Sequence, residues 1–167
     1  MPPEIIVCEG MNDMVELREM TKETWHEYYE KYVPDPMMDL NPYTYNEKRA
    51  AHNFEIKSVD VTRKYFDVFC EDVLVGQAYF KHIDYDIKTA EAAIALTNDS
   101  AKGKGVGTKA IELLVAYGFE KLGLETIIAT AVLRNTRSQH IMQKLGFEFT
   151  HEDDIFKHYR LKRGDFD

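Results

Sequence analysis

The residues best suited to chemistry run from Lys102 to Thr108, as Lys-Gly-Lys-Gly-Val-Gly-Thr. Gly103, Gly105 and Gly107 carry no β-carbon, so an anion can approach this backbone closely. Lys102, Lys104 and the nearby Lys109 add positive charge. The loop leads directly into a helical pattern, and a helix N-terminus offers unpaired N–H groups and a partial positive charge. Lys102, Gly103, Lys104, Gly105, Val106, Gly107 and Thr108 are therefore the expected binding residues for a diphosphate.

Other phosphate loops fit less well. A Walker loop needs four residues between its glycine and its Gly-Lys pair, and the stretch from Gly103 to Thr108 lacks that spacing. A dinucleotide fingerprint needs Gly-x-G-x-x-Gly, where this chain has Gly-x-Gly-x-Gly, and Glu125 opens the next strand instead of closing it. A dinucleotide-dependent oxidoreductase stays as an alternative, separable by its affinity for NAD.

The elements that must position this loop alternate between strand and helix signals. Glu4 to Glu9 and Met14 to Met20 read as strands about a Gly10–Asp13 turn. Thr21 is an N-cap for a helix that Pro34 and Pro36 end, and Asn46 precedes a second helix reaching about Lys57. Lys64 to Cys70 and Val73 to Asp84 form two strands about Glu71-Asp72, followed by a strand from Thr89 to Thr97. Ile111, Leu114, Val115, Gly118, Phe119 and Leu122 then recur at helical spacing, with Gly123 as a left-handed end. Thr126 to Leu133 reads as a buried strand. Asn135 caps a short helix ended by Gly146, and Phe147 to Thr150 and Ile155 to Lys162 are strands. The fold class is α/β, with strands outnumbering helices.

Composition narrows the function. The 167 residues fit one domain, and 44% apolar with 30% charged residues is ordinary for a globular chain. A net charge of −8 argues against a general nucleic-acid binder. An acidic field favours cationic small molecules, although it also serves solubility alone. No apolar run reaches the ~18 residues of a membrane span, and Met1 to Val7 lacks a signal-peptide pattern, so the expected location is the cytoplasm, away from membranes. Cys8 and Cys70 form neither a disulfide framework nor a metal site.

The glycine loop, followed in order by Asn135-Thr136-Arg137-Ser138 and Lys144-Leu145-Gly146-Phe147, resembles the GNAT superfamily of acetyl-CoA-dependent N-acetyltransferases. Lys102 stands where the family usually has Arg or Gln. The likeness covers residues 64–162, and Ala90 to Leu96 is most similar to the RimJ/RimL-type branch, which acetylates protein N-termini. It implies one domain over residues 1–167, with a variable acceptor side (1–60) and an acetyl-CoA core (64–162). It further implies a mostly antiparallel sheet of six to seven strands with about four helices. Thr89–Thr97 and Thr126–Leu133 would be parallel and splayed, with pantetheine between them.

From the resemblance, acetyl-CoA is the cosubstrate, no metal is needed, and a homodimer is the expected assembly. The acceptor is a primary amine: a protein or peptide N-terminus, a polyamine or another small amine. Leu96 or Thr97 would offer an oxyanion N–H, and Asn135 would bond the pantetheine amides. An amine must lose a proton before it attacks a thioester, so a base is required. Glu91 is the first candidate, with Asp84 and His82 as others. The family's leaving-group Tyr falls on Met142, seven residues after Asn135, and Met donates no proton. Ser138 or Tyr159 would take that part. Met142 also supports a different class, an acyl-CoA-binding module without turnover. Trp25 and Tyr28 are expected in the core, while Asp35 and Asp39 are acceptor-side candidates.

Overall fold

The computed structural model describes residues 5–7, 14–36, 43–97 and 105–166. Its elements are β1 (Ile5–Val7), β2 (Val15–Glu19), α1 (Lys22–Lys31), α2 (Glu47–Lys57), β3 (Lys64–Cys70), β4 (Val73–Asp84), β5 (Thr89–Leu96), α3 (Val106–Glu120), β6 (Thr126–Val132), α4 (Thr136–Lys144), β7 (Glu148–Glu152) and β8 (Phe156–Lys162). A short 3-10 turn follows at Arg163–Asp165. Cys8, Asp39 and the loop residues Lys102, Gly103 and Lys104 lie outside the described residues.

Local chemistry accounts for the helix starts. Thr21 and Thr24 form a reciprocal capping box at α1, Thr24 N–H donating to Thr21 Oγ1 at 3.1 Å and Thr21 N–H to Thr24 Oγ1 at 2.9 Å. The Asn46 Oδ1 accepts from Arg49 N–H at 2.9 Å at the start of α2. In the β3–β4 hairpin, Glu71 and Asp72 both take positive φ, 51° and 64°, the left-handed pair that a two-residue turn requires.

All eight strands join one sheet in the order β1-β2-β3-β4-β5-β6-β8-β7. That is one strand more than the resemblance implied, because the short β1 pairs onto the edge at β2. Every described pairing is antiparallel except β5 with β6. Helix α3 makes the crossover between those two. It packs on the face carrying Phe66, Val68, Ala78, Phe80, Ala90, Ala92, Ile127 and Ala129, which forms the main core. Gly118 permits this close packing: a β-carbon there would stand 2.6 Å from Phe80 Cζ and 3.1 Å from Ile127 Cδ1. Met142, Tyr159 and Leu161 extend the same core beneath α4.

The opposite face carries Tyr65, Asp67, Gln77 and Tyr79 and is covered over its β2–β4 half by α1 and α2. Trp25 is fully buried there, edge-on to Tyr65 at 5.5 Å, and its indole N–H donates to Ala50 O at 2.9 Å. Tyr28 is buried beside it, as the sequence suggests.

The pairing of β5 with β6 covers only Thr89↔Thr126, Ala90↔Ile127 and Glu91↔Ile128. Beyond Glu91, β5 stays bonded to β4 as far as Leu96↔Gly76, and β6 stays bonded to β8 as far as Val132↔Phe156. The two parallel strands therefore part toward their carboxyl ends. A gap opens there in the middle of the sheet.

Candidate active site

A cavity of about 320 Å³ occupies that gap, lined by Ile94 to Leu96 of β5, by Gly105, Gly107 and Thr108 at the start of α3, and by Asn135, Ser138 and Ile141 of α4. The β5 wall offers main-chain groups. Thr97 N–H donates to Val75 O at 2.8 Å, which makes that pair hydrogen-bonded. Antiparallel pairs alternate, so Ile94 and Leu96, in the intervening pairs, turn their N–H and C=O away from β4 and toward the gap. Leu96 thus presents its N–H to the gap. Thr97 does not: its N–H serves Val75, and its C=O accepts from Val33 N–H at 2.7 Å.

Gly105 is the N-cap of α3, with φ 76° and ψ 5°, and among the described residues no side chain caps the helix. The left-handed angle explains the glycine, since a β-carbon at this position would meet no atom within 4 Å. The first turn carries no acid. Val106 is buried in the core and anchors the turn, leaving its contribution to the cleft to the main chain. The first-turn N–H groups at the cleft are suited to phosphate oxygens.

Two amides hold α4 in place. Asn135 Oδ1 accepts from Ser138 N–H at 3.1 Å and caps the helix, which leaves the Asn135 Nδ2 as the group chemically able to donate to a ligand. The buried Gln139 Nε2 donates to Leu133 O at 2.9 Å and Val132 O at 3.2 Å, fastening the helix to the end of β6. Sequence reading missed Gln139, and it missed Arg137 and His140, which add a guanidinium and an imidazole to the cleft wall. Arg137 and His140 are three residues apart, so one face of α4 carries both.

A strap after α1 crosses the open end of the gap. It is tied to β5 by Val33 N–H on Thr97 O, and to the β6–α4 turn by Arg134 Nε donating to Pro36 O at 2.9 Å. Asp35, in this strap, lines the cleft.

Three catalytic candidates fall elsewhere. His82 and Asp84 lie at the other end of the sheet, where Asp84 Oδ1 accepts from Asp86 N–H at 3.0 Å and shapes the β4–β5 turn. Tyr159 is 1% exposed, sits in the core edge-on to Phe149 at 5.9 Å, and does not line the cleft. The alternation of β8 explains this, because Tyr159 and Leu161 share its buried side. Burial raises the Tyr159 phenol above its ordinary range. Met142 is also a core residue. Glu91 stands where β5 and β6 begin to part, on the α1 side of the sheet, ion-paired to Lys81 at 3.2 Å.

On that same side Asp67 is fully buried beside Gln77 in the sheet. Neither carboxylate oxygen makes a hydrogen bond of good geometry. Burial pushes its pKa up to about 6, with the Thr24 hydroxyl offsetting part of the effect. The sequence carries no signal for this, since Asp67 reads as the solvent-side residue of an ordinary strand.

A parallel pair that splays over a helix N-terminus, in an otherwise antiparallel sheet, defines an acyltransferase type of architecture. Residues 15–148 match the family described as "Acetyltransferase (GNAT) domain", and the chain belongs to that family. Among curated proteins it is 31% identical over 105 residues to spermidine N(1)-acetyltransferase of Escherichia coli (strain K12), covering 60% of this chain and 56% of that one. It is 32% identical over 77 residues to an N-acetyltransferase 9-like protein of Nematostella vectensis, covering 46% of this chain and 39% of that one. The chain therefore spans about half the length of these relatives. The same fold is found in spermidine N-acetyltransferase from Vibrio cholerae, crystallised in complex with CoA and spermine, with a TM-score of 0.77, 17% identity, and coverage of 92% of this chain and 98% of that one.

Proposed function

We propose that this protein transfers the acetyl group of acetyl-CoA directly to a primary amine. The observation that carries this is the parting of β5 and β6 after Glu91↔Ile128, directly over an α3 N-terminus that no side chain among the described residues caps. In this reading the loop from Lys102 to Thr108 holds the diphosphate. The free main-chain edge at Ile94 and Leu96 and the Asn135 amide hold the pantetheine arm, and the Leu96 N–H steadies the oxyanion. Ser138, on the cleft wall, donates a hydrogen bond to the departing sulfur. Glu91 is already committed to Lys81, and in this reading it shapes the closed end of the gap.

The acceptor enters from the α1 side, beneath the strap. Asp35 and the charge of −8 suit a cationic amine. The likeness of Ala90 to Leu96 to the RimJ/RimL-type branch favours a peptide N-terminus, and the spermidine-acetylating relatives favour a polyamine. Thiol release from acetyl-CoA, measured across peptides, polyamines and small amines, tests the proposal. Amine-dependent release is expected. Tight acetyl-CoA binding with no release above background would instead support a silent acyl-CoA-binding module, the reading favoured by Met142 at the usual tyrosine position.

A further inference from the structure

The sheet face on the acceptor side carries a histidine that the reading above leaves unused. Along β6, Ile127, Ala129 and Ala131 are buried in the core, so Ile128 and Thr130 point to the opposite face. Along β8, Tyr159 and Leu161 are likewise in the core, which puts His158 and Arg160 on that same opposite face. His158 pairs with Thr130, and Arg160 pairs with Ile128. Glu91 faces Ile128 at the last β5–β6 rung, so Thr130 stands on the free bank of the gap, two residues past the point of parting. His158 is one strand behind it, about 4.8 Å away.

This histidine is held by a carboxylate and by a stacked ring. Its Nε2 lies 2.7 Å from Asp153 Oδ2. Asp153 is itself held, its Oδ1 accepting from Phe156 N–H at 2.7 Å and Ile155 N–H at 2.8 Å. The His151 ring stacks on His158 with centroids 4.2 Å apart and planes 7° from parallel. In the neutral tautomer that donates Nε2–H to this carboxylate, Nδ1 is the acceptor atom. Among the described residues the ring has no other hydrogen-bond partner. The nearby titratable and charged groups are Asp153 of the turn, His151 of β7, the Arg160–Glu148 pair at 3.4 Å, and Glu91 with Lys81 across the gap. The His158 hydrogen bond, followed by two backbone N–H groups, holds Asp153 down at about 2, so it remains an anion throughout the neutral range.

We propose that His158, oriented by Asp153, accepts the proton of the acceptor amine through one bridging water at the Thr130 bank. This rests on the acetyltransferase reading above. One water spans about 5.5 Å between its two partners, which matches one strand spacing. An ammonium acceptor loses two protons in all. The first passes by the water to Nδ1 and on to solvent, freeing the nitrogen lone pair. The N–C bond then forms and the C–S bond breaks. The second proton leaves the adduct nitrogen and ends on the sulfur, giving the coenzyme A thiol.

The test uses the full chain with its best amine acceptor and measures acetyl-CoA affinity separately from turnover. In His158→Gln, whose amide still reaches Asp153, kcat is expected to fall roughly 100-fold with unchanged affinity for acetyl-CoA. The rising limb of the wild-type kcat/KM profile against pH is expected to disappear. In His158→Ala, added imidazole is expected to restore part of the rate. A His158→Gln enzyme with wild-type kcat and pH profile would overturn the proposal. Failure of the underlying reading would show differently, as a wild-type chain that binds no acetyl-CoA, and it would overturn this step too.

Discussion

At the residue scale, two side chains separate the function of the cleft from the stability of the fold. Ser138 lines the cleft, and in the proposed role of donor to the departing sulfur Ser138→Ala is expected to lower kcat about tenfold while leaving the KM for acetyl-CoA within about twofold. Steady-state kinetics at saturating amine checks this. Asp67 contributes only to stability. Its folded pKa, about 6, exceeds the ordinary value of 3.8, so the folded state holds the proton more tightly than the unfolded chain. The stability from this site is complete below the unfolded pKa and is lost as pH rises through about 6. The full loss amounts to roughly 3 kcal/mol. Asp67→Asn is expected to raise the melting temperature at pH 7 and to flatten its decline between about pH 4 and pH 6. A lower melting temperature at pH 7 would show that the carboxylate is satisfied as an anion.

At the element scale, local signals were legible and non-local pairings were not. Thr21, Asn46 and Asn135 cap helices where the sequence places caps, because a cap depends on three or four neighbouring residues. The parting of β5 from β6 depends on strands joined by the whole of α3 and entered the reading only through a family likeness. Thr97 failed as a cleft donor for the same reason: its N–H is taken by Val75, a residue on another strand. Tyr159 was readable in principle, since alternation along β8 puts it on the side of Leu161, and the same alternation exposes His158. The fit of α3 to the sheet rests on one close approach. Gly118→Val would force a side chain into Phe80, 2.6 Å from the first added carbon, and is expected to destabilise by on the order of 3 kcal/mol. For a chain of this size that lowers the melting temperature by roughly 6–12 °C.

At the scale of the whole molecule, the sheet has two faces with separate tasks. The α3 face is the main apolar core and bears the helix N-terminus and the α4 wall. The α1 face is aromatic and polar, closed over β2–β4 and open beyond the gap, with the strap fixing the two banks together through Thr97 and Arg134. In the proposed reading, a donor substrate held from one side and an amine arriving from the other would meet where β5 and β6 part. This separation lets the acceptor side vary without disturbing the donor cleft, and it explains why the donor was easier to read than the acceptor. Glycines and caps mark the proposed donor side, whereas Asp35 and His158 come to the proposed acceptor side through tertiary placement alone.

The central claim is that the uncapped start of α3, reached through Gly105, holds the diphosphate of acetyl-CoA. Titration calorimetry of acetyl-CoA into the wild-type chain and into Gly105→Glu tests it most directly. The account predicts saturable binding at one site per chain in the wild type, and loss of that binding in Gly105→Glu, where a carboxylate stands against the phosphates. Equal affinity in the two chains would contradict it.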